Sequence, residues 1–327
     1  MKWDSIMNGR TDPAAPEPGP QPLVSVVINC YNGMPYLPEA IASVYAQTYR
    51  NWEIILWDNA STDASPAIAQ GYDLRLKYFR GEENVPLGAA RNLAIRQARG
   101  EYLCFLDCDD LWLPEKLARQ VQAMAAGDYA LGYAGVQEID QDGNPIGEYR
   151  PSYRSGFLLE QLLIQFDINV PTAILRRSAL EAANLTFDPN VFASEEYCLF
   201  MQLAVEHPIL VLSEPLAKYR IHSGALTAKS VSRWASERRY TLDLICRDHP
   251  GIRERFPSAF ALAYARAGYY QARFLAAQGR MAEARTELKK LRTLTFTYFV
   301  LYLIACFPAA VWNWIHRIKT RRVLISG

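Results

Sequence analysis

No two cysteines of the 327-residue chain form a CxxC pair, and no Cys/His set has zinc-finger spacing. That removes the common structural zinc sites. The six cysteines, at 30, 104, 108, 198, 246 and 306, read as reduced, mostly buried thiols, which suits a cytosolic face. Excess charge of either sign is also lacking. Thirty-five Lys and Arg against 34 Asp and Glu leave a formal charge of +1, so there is no general basic field for nucleic acid. The first β-like run is not followed by GxGxxG, which argues against a dinucleotide enzyme. Nor does "NCYNGMPYL" supply the Gly-rich, Lys-bearing loop of a nucleotidyltransferase. The opening "MKWDSIMNGR" lacks the apolar segment of a signal peptide, and "TDPAAPEPGPQP" is too proline-rich to pack. Residues 1–22 are therefore expected to be an extended, mobile leader.

What is present is a regular alternation. "LVSVVINCYN" (23–32), "WEIILWD" (52–58), "LRLKYFR" (74–80) and "EYLCFLD" (101–107) are short, β-branched, apolar runs that read as buried strands. Between them lie segments with helical spacing: 35–49, the stretch opening at "STDAS", and 86–100, which stops at Gly100. Strand and helix in alternation predict an α/β fold, a doubly wound, mostly parallel sheet with helices on both faces. In such sheets ligands sit at the carboxyl ends of the strands. Those ends are polar here: Asn29 to Asn32, Asp58, and Asp107 to Asp110. Beyond residue 115 the pattern loosens into helix, two strands around "QDGN", helix, strand, a helix at 195–207 led by Glu195 and Glu196, and a further strand. From about 231 the chain reads as helical, with a two-helix hairpin turning at Gly279.

Residues 296–312, "FTYFVLYLIACFPAAVW", are almost wholly apolar but short for a bilayer span, and Pro308 interrupts them. Aromatic residues near their ends and basic residues on both flanks (Lys289, Lys290, Arg292; Arg317, Lys319, Arg321, Arg322) suit a membrane interface. An interfacial or re-entrant helix, a span, and a packing helix or dimer contact all remain open.

The segment "FLDCDDLW" places three carboxylates in four positions directly after an apolar strand. Like charges so close repel one another, and strands disfavour Asp. A bound cation would remove the repulsion; a solvated acidic turn capping the next helix is the plainer alternative.

Several motifs, in order, resemble the inverting glycosyltransferases of family 2, which have the GT-A fold. The resemblance covers about 23–225. It rests on "VSVVINCYNGMPYLPEAIASVYAQTYRNWEIILWDNASTDAS", on "GAARNLAIRQARGEYLCFLDCDDLWLPEKL", on the pair Glu195-Glu196 and on "YRIHSG" at 219–224. It implies a nucleotide-diphosphate sugar donor, UDP-linked before dTDP or GDP, and a metal-dependent transfer to a hydroxyl of a glycan or lipid-linked acceptor. "DCD" then stands as the DxD motif. Asp109 would hold Mn²⁺ or Mg²⁺, Asp107 would meet the ribose or the metal shell, and His222 would complete that shell, with imidazole favouring Mn²⁺. Asp110 would support from behind or cap the next helix. Asn32 and Asp58 would face the base and ribose, Arg91 the donor phosphate or sugar, and Asp63 either the donor or a helix end. The family's base is usually the Asp of a Glu-Asp pair. Here the pair is Glu195-Glu196, and Cys198 replaces a following Asp. The resemblance makes Glu196 the base and Glu195 its orienting or acceptor-side partner; two acids favoured at a helix N-terminus is the alternative.

The organisation expected is thus a leader (1–22), a GT-A domain (23–230), a helical extension (231–293), and an apolar, membrane-associated helix with a basic tail (294–327). The implied setting is the cytoplasmic face of the inner or plasma membrane, peripheral or monotopic, in cell-envelope polysaccharide synthesis. An inactive sugar-nucleotide-binding membrane scaffold is the alternative function.

Overall fold

A computed structural model describes residues 21–222, 230–307 and 311–312. The proposed leader, except its last two residues, and the basic tail at 317–322 lie outside them.

Four parallel strands form the first half of the sheet: β1 (Val24–Cys30), β2 (Trp52–Asp58), β3 (Leu76–Arg80) and β4 (Tyr102–Asp107), in spatial order β3-β2-β1-β4. Every residue of β1 and β2 is buried, as strands covered on both faces must be. Alternate side chains enter opposite layers. Val24, Val26 and Ile28 join the layer packed by α1 (Leu37–Tyr45) and α4 (Lys116–Ala125). Val27 and Ile55 enter the other, with α3 (Leu87–Ile95). α2 (Ser65–Ala69) follows β2.

The second half is mixed rather than parallel. β5 (Leu111–Trp112), β6 (Leu131–Ile139), β7 (Pro145–Tyr149), β8 (Ile174–Arg176) and β9 (Ile209–Arg220) continue the sheet as β4-β8-β6-β9-β5, with β7 on β6. β8 runs antiparallel to both β4 and β6, while β9 is parallel to β6. The helices here are α5 (Leu159–Ile164), α6 (Arg177–Ala182) and α7 (Glu195–Glu206).

The helical extension is present. It comprises α8 (Val231–Asp248), α9 (Ile252–Arg255), α10 (Pro257–Ala277), α11 (Met281–Leu291) and α12 (Phe296–Ala305). α10 and α11 turn at Gly279, whose φ of +78° is one that glycine adopts without strain. α8 packs on α7 and on α10, so the extension is joined to the α/β domain. α12 buries Leu301 and Ala305 against the α10–α11 hairpin. Its other side is open: Phe296 is 80% exposed, and Phe299, Leu303 and Phe307 stand near it at helical spacing. Among the described residues no helix is long and apolar enough to cross a membrane.

Candidate functional site

Strand register brings the three polar strand ends together. Asn29 of β1 pairs with Asp107 of β4, and Cys30 pairs with Asp58 of β2. The loops that leave these strands therefore share one edge of the sheet.

Asp58 is buried at the end of β2. Its Oδ1 accepts from the Ser61 amide at 2.7 Å, and its Oδ2 accepts from the Tyr78 hydroxyl at 2.6 Å and Arg80 Nη1 at 2.7 Å. The next loop is closed by Asn32, at φ +54°, a conformation Asn tolerates better than most residues. Its Oδ1 accepts from the Thr62 amide at 2.8 Å, and its own amide donates to Ser61 Oγ. Asp63 bridges the same loops, accepting from the amides of Met34 and Ser65. It serves loop closure and the approach to α2 at once.

The Asp107–Asp110 turn divides its acids. Asp109 Oδ2 lies 2.9 Å from His222 Nε2, so the two expected ligands from opposite ends of the domain do meet. Burial, then repulsion from Asp107, raises the proton affinity of Asp109, and His222 opposes this. Asp110 is buried; it does not cap the following helix. Its Oδ1 accepts from the Arg220 amide at 2.8 Å, while Oδ2 has no hydrogen-bond partner. Burial and the neighbouring Asp109 push its carboxyl well above the ordinary range. Among the described residues no three His, Cys, Asp or Glu side chains form a ready-made metal cage. Asp109 and His222 as candidate ligands, with Asp107 close by and an unpartnered Asp110 oxygen, nevertheless fit an oxygen-seeking divalent cation that draws its remaining ligands from outside the protein.

Arg91, expected at the donor, is wholly buried between two acids. Nη2 donates to Asp107 Oδ1 and Nη1 to Glu195 Oε1, both at 2.9 Å. One guanidinium thus joins the Asp107–Asp110 turn to the Glu195-Glu196 pair. The fork geometry suits arginine alone among the cations. Gly88 of α3 permits the approach, since a Cβ there would stand 3.3 Å from both Glu195 Cβ and Phe187 Cβ. Glu195 is held up at about 8 by burial and by Glu196, against the pull of Arg91. Glu196 is only half-buried, and its carboxylate is met by its own main-chain amide. Burial raises its pKa also, with Arg91 and Arg238 opposing.

Several site residues were not singled out from the sequence. Arg220 donates to the Asp109 carbonyl, to the Gln141 carbonyl and to Glu39 Oε2, and lies 4.5 Å over the Tyr36 ring. It is the strut beneath the Asp107–Asp110 turn; its place beside His222 in "YRIHSG" was the available signal. Arg80 and Tyr78 ended an ordinary-looking strand. Cys30 and Cys108 face one another beneath Gly33, where a Cβ would fall within 3 Å of each sulfur. A hydrogen bond from Cys108 lowers the Cys30 thiol to about 7 and raises that of Cys108.

Comparison with known proteins gives the family. The model of glycosyl transferase family 2 matches residues 25–183. An uncharacterised glycosyltransferase of Methanocaldococcus jannaschii is 32% identical over 214 residues, 62% of this chain and 71% of that protein. The chain belongs to glycosyltransferase family 2. An uncharacterised glycosyltransferase of Rickettsia felis is also 32% identical over 214 residues, 65% of this chain, but these span only 35% of that protein. TuaG of Bacillus subtilis, named for teichuronic acid biosynthesis, is 28% identical over 67% of this chain and 86% of its own. Among solved structures, Staphylococcus aureus TarS 1–349 with UDP-GlcNAc superposes with a TM-score of 0.66 at 18% identity, covering 89% of each chain. The mannosyltransferase PcManGT of Pyrobaculum calidifontis, with GDP-Man and Mn²⁺, gives 0.58 at 23% identity over 92% of this chain and 89% of its own. The chain thus has the GT-A fold.

Proposed function

We propose that this glycosyltransferase is a metal-dependent, inverting enzyme that moves a sugar from a nucleotide-diphosphate donor, UDP-linked first, to a hydroxyl of a glycan or lipid-linked acceptor. The observation that carries the reading is Arg91 binding Asp107 and Glu195 together, which sets a cation-type site and an acid pair into one network. Asn32, Asp58 and Asp107 bind the nucleoside end of the donor. Asp109 and His222, with Asp107 beside them, would hold Mn²⁺ or Mg²⁺. When bound, the cation offsets the charge of the departing diphosphate. Arg91 acts from behind, keeping Asp107 and Glu195 in place.

Glu196 is the base. As a half-buried carboxylate beside the candidate donor site, it can accept the acceptor's proton. The hydroxyl oxygen bonds to the anomeric carbon from the face opposite the diphosphate. The carbon–oxygen bond to the diphosphate breaks, the nucleoside diphosphate leaves with that electron pair, and the proton rests on Glu196. Glu195, tied to Arg91, orients its neighbour.

The open face of α12, Phe296, Phe299, Leu303 and Phe307, with Lys289, Lys290 and Arg292 at the end of α11, favours docking on an anionic bilayer surface. That supports a lipid-linked acceptor at the cytoplasmic face, in polysaccharide synthesis for the cell envelope. A thermal-shift screen of UDP-, GDP- and dTDP-sugars with and without Mn²⁺ tests the reading. The expected result is stabilisation by one nucleotide class that needs the metal; equal shifts without metal would overturn it.

A further inference from the structure

The acid pair stands at the start of α7, and what precedes α7 decides where the pair points. Residues 187–194 form the approach. At its near end Asn92, next to Arg91, binds Phe187 through both main-chain groups: Asn92 Nδ2 donates to the Phe187 carbonyl at 2.8 Å, and the Phe187 amide donates to Asn92 Oδ1 at 3.0 Å. The far end is held by α8, which lies outside the residues matched by the family. Glu237 of α8 is buried. Its Oε1 accepts from the Phe192 amide at 3.0 Å, and its Oε2 accepts from the Ala193 amide at 2.9 Å and Ser194 Oγ at 3.0 Å. Three successive residues immediately before Glu195 thus donate to one carboxylate.

Ser194 sharpens the point. It is the N-cap of α7, yet its side chain makes no capping bond to its own helix. An N-cap serine ordinarily binds the helix amides behind it. Here the hydroxyl is turned outward to α8. The neighbouring residues of α8 reach the same segment: Tyr240 donates to Asp188 Oδ2 at 2.7 Å, and the Arg238 guanidinium lies 3.9 Å over the Tyr197 ring. Arg238 also opposes the rise in the Glu196 pKa.

We propose that Glu237 is a positioning residue for transfer: its carboxylate clamps residues 192–194 and thereby sets the direction of the Glu195-Glu196 pair toward the donor sugar. The inference rests on the reading of that pair as the base site. It makes the helical extension part of the active site.

Glu237→Gln keeps the size of the side chain but turns one acceptor into a donor facing amide or hydroxyl donors. Displacing a reacting group by about 1 Å costs on the order of a hundredfold in rate. The measurements are nucleoside diphosphate release from a panel of UDP- and GDP-sugars with Mn²⁺, and UDP and GDP binding by calorimetry, on the full chain. Glu237→Gln is expected to lower kcat about tenfold to a hundredfold, with nucleotide affinity within about twofold. Its loss should vanish in a background already lacking the base, Glu196→Gln or Glu195→Gln, because a group that acts through another adds nothing once that other is gone. A purely structural role would subtract again in the double variant. Ser194→Ala removes a single donor to Glu237 and gives the same test in smaller steps should Glu237→Gln fail to fold. Unchanged kcat in the clamp variants, or a loss that persists in the double variant, would overturn the clamp. If neither acid variant loses turnover while Glu237→Gln does, the base assignment fails and the clamp's route fails with it. If an acid variant does lose turnover and Glu237→Gln does not, the clamp alone is wrong.

Discussion

Arg91 Nη1 donates to Glu195 Oε1 at 2.9 Å, and both side chains are almost fully shielded from water. The same guanidinium holds Asp107 through its other terminal nitrogen. Removing it takes away the two charge-assisted hydrogen bonds it donates to Asp107 and Glu195, which costs about 3–5 kcal/mol. Arg91→Met is expected to lose about that much in urea unfolding. Arg91→Lys supplies a single ammonium and cannot reproduce the fork, so it should regain only part of the stability and less of the turnover. A lysine variant with wild-type turnover would show that bridging the two acids is dispensable.

Asp109→Asn removes one anionic ligand and retains the shape. It is expected to abolish metal-dependent donor binding and to lower activity roughly a hundredfold or more. His222→Ala should weaken Mn²⁺ more than Mg²⁺, since imidazole prefers the softer ion. Thermal shift against each metal with a fixed nucleotide reads both effects. Normal metal dependence in Asp109→Asn would mean the cation binds elsewhere.

Glu196→Gln should keep donor affinity and lose transfer by about 10²–10⁴-fold. If Glu195→Gln proves the more damaging in single-turnover assays, the two roles are exchanged.

The pH dependence follows from the direction of the Glu196 shift. Burial raises its pKa above the ordinary 4.5, and only the ionised form accepts a proton. Activity is therefore full at alkaline pH and falls as pH drops through the raised pKa, so the acid limb of kcat/KM must lie above 4.5. A limb at or below 4.5 would show that burial does not raise the Glu196 carboxyl. Stability of the metal-free protein moves the opposite way. Asp109 and Asp110 bind protons more tightly folded than unfolded. Stability is thus lost as pH rises from their ordinary 3.8 through their raised values. Mn²⁺ offsets that loss, so its Tm increment should be larger near pH 7.5 than near pH 5; equal increments would argue against the acidic turn as the metal site.

Truncation after residue 292 removes α12. It should leave donor hydrolysis intact and abolish flotation with anionic liposomes. Replacing Phe296 and Phe299 by Ser should weaken flotation without disturbing the face packed on the hairpin, which uses Leu301 and Ala305. A full-length protein that remains soluble at low salt would instead indicate a packing or dimer helix.

The local properties of the chain were legible in its sequence. Apolar, β-branched runs specify β1 to β4 because a strand buried on both faces admits little else. Polar residues at those strand ends pointed to the edge where the loops after β1, β2 and β4 meet, and "DCDD" and "EE" supplied the candidate acids. What could not be read was how distant segments meet. Arg91 looked like a donor ligand, since the 104 residues separating it from Glu195 conceal that the two share one buried ion pair. The mixed half of the sheet depends on β8 entering antiparallel between β4 and β6, a pairing that three residues cannot encode alone. Arg220 and Glu237 are ordinary charged residues until the fold buries them against main-chain groups. Hydrophobic period and residue chemistry are set within a few positions, whereas burial and hydrogen-bond partners exist only once the sheet and helices have packed.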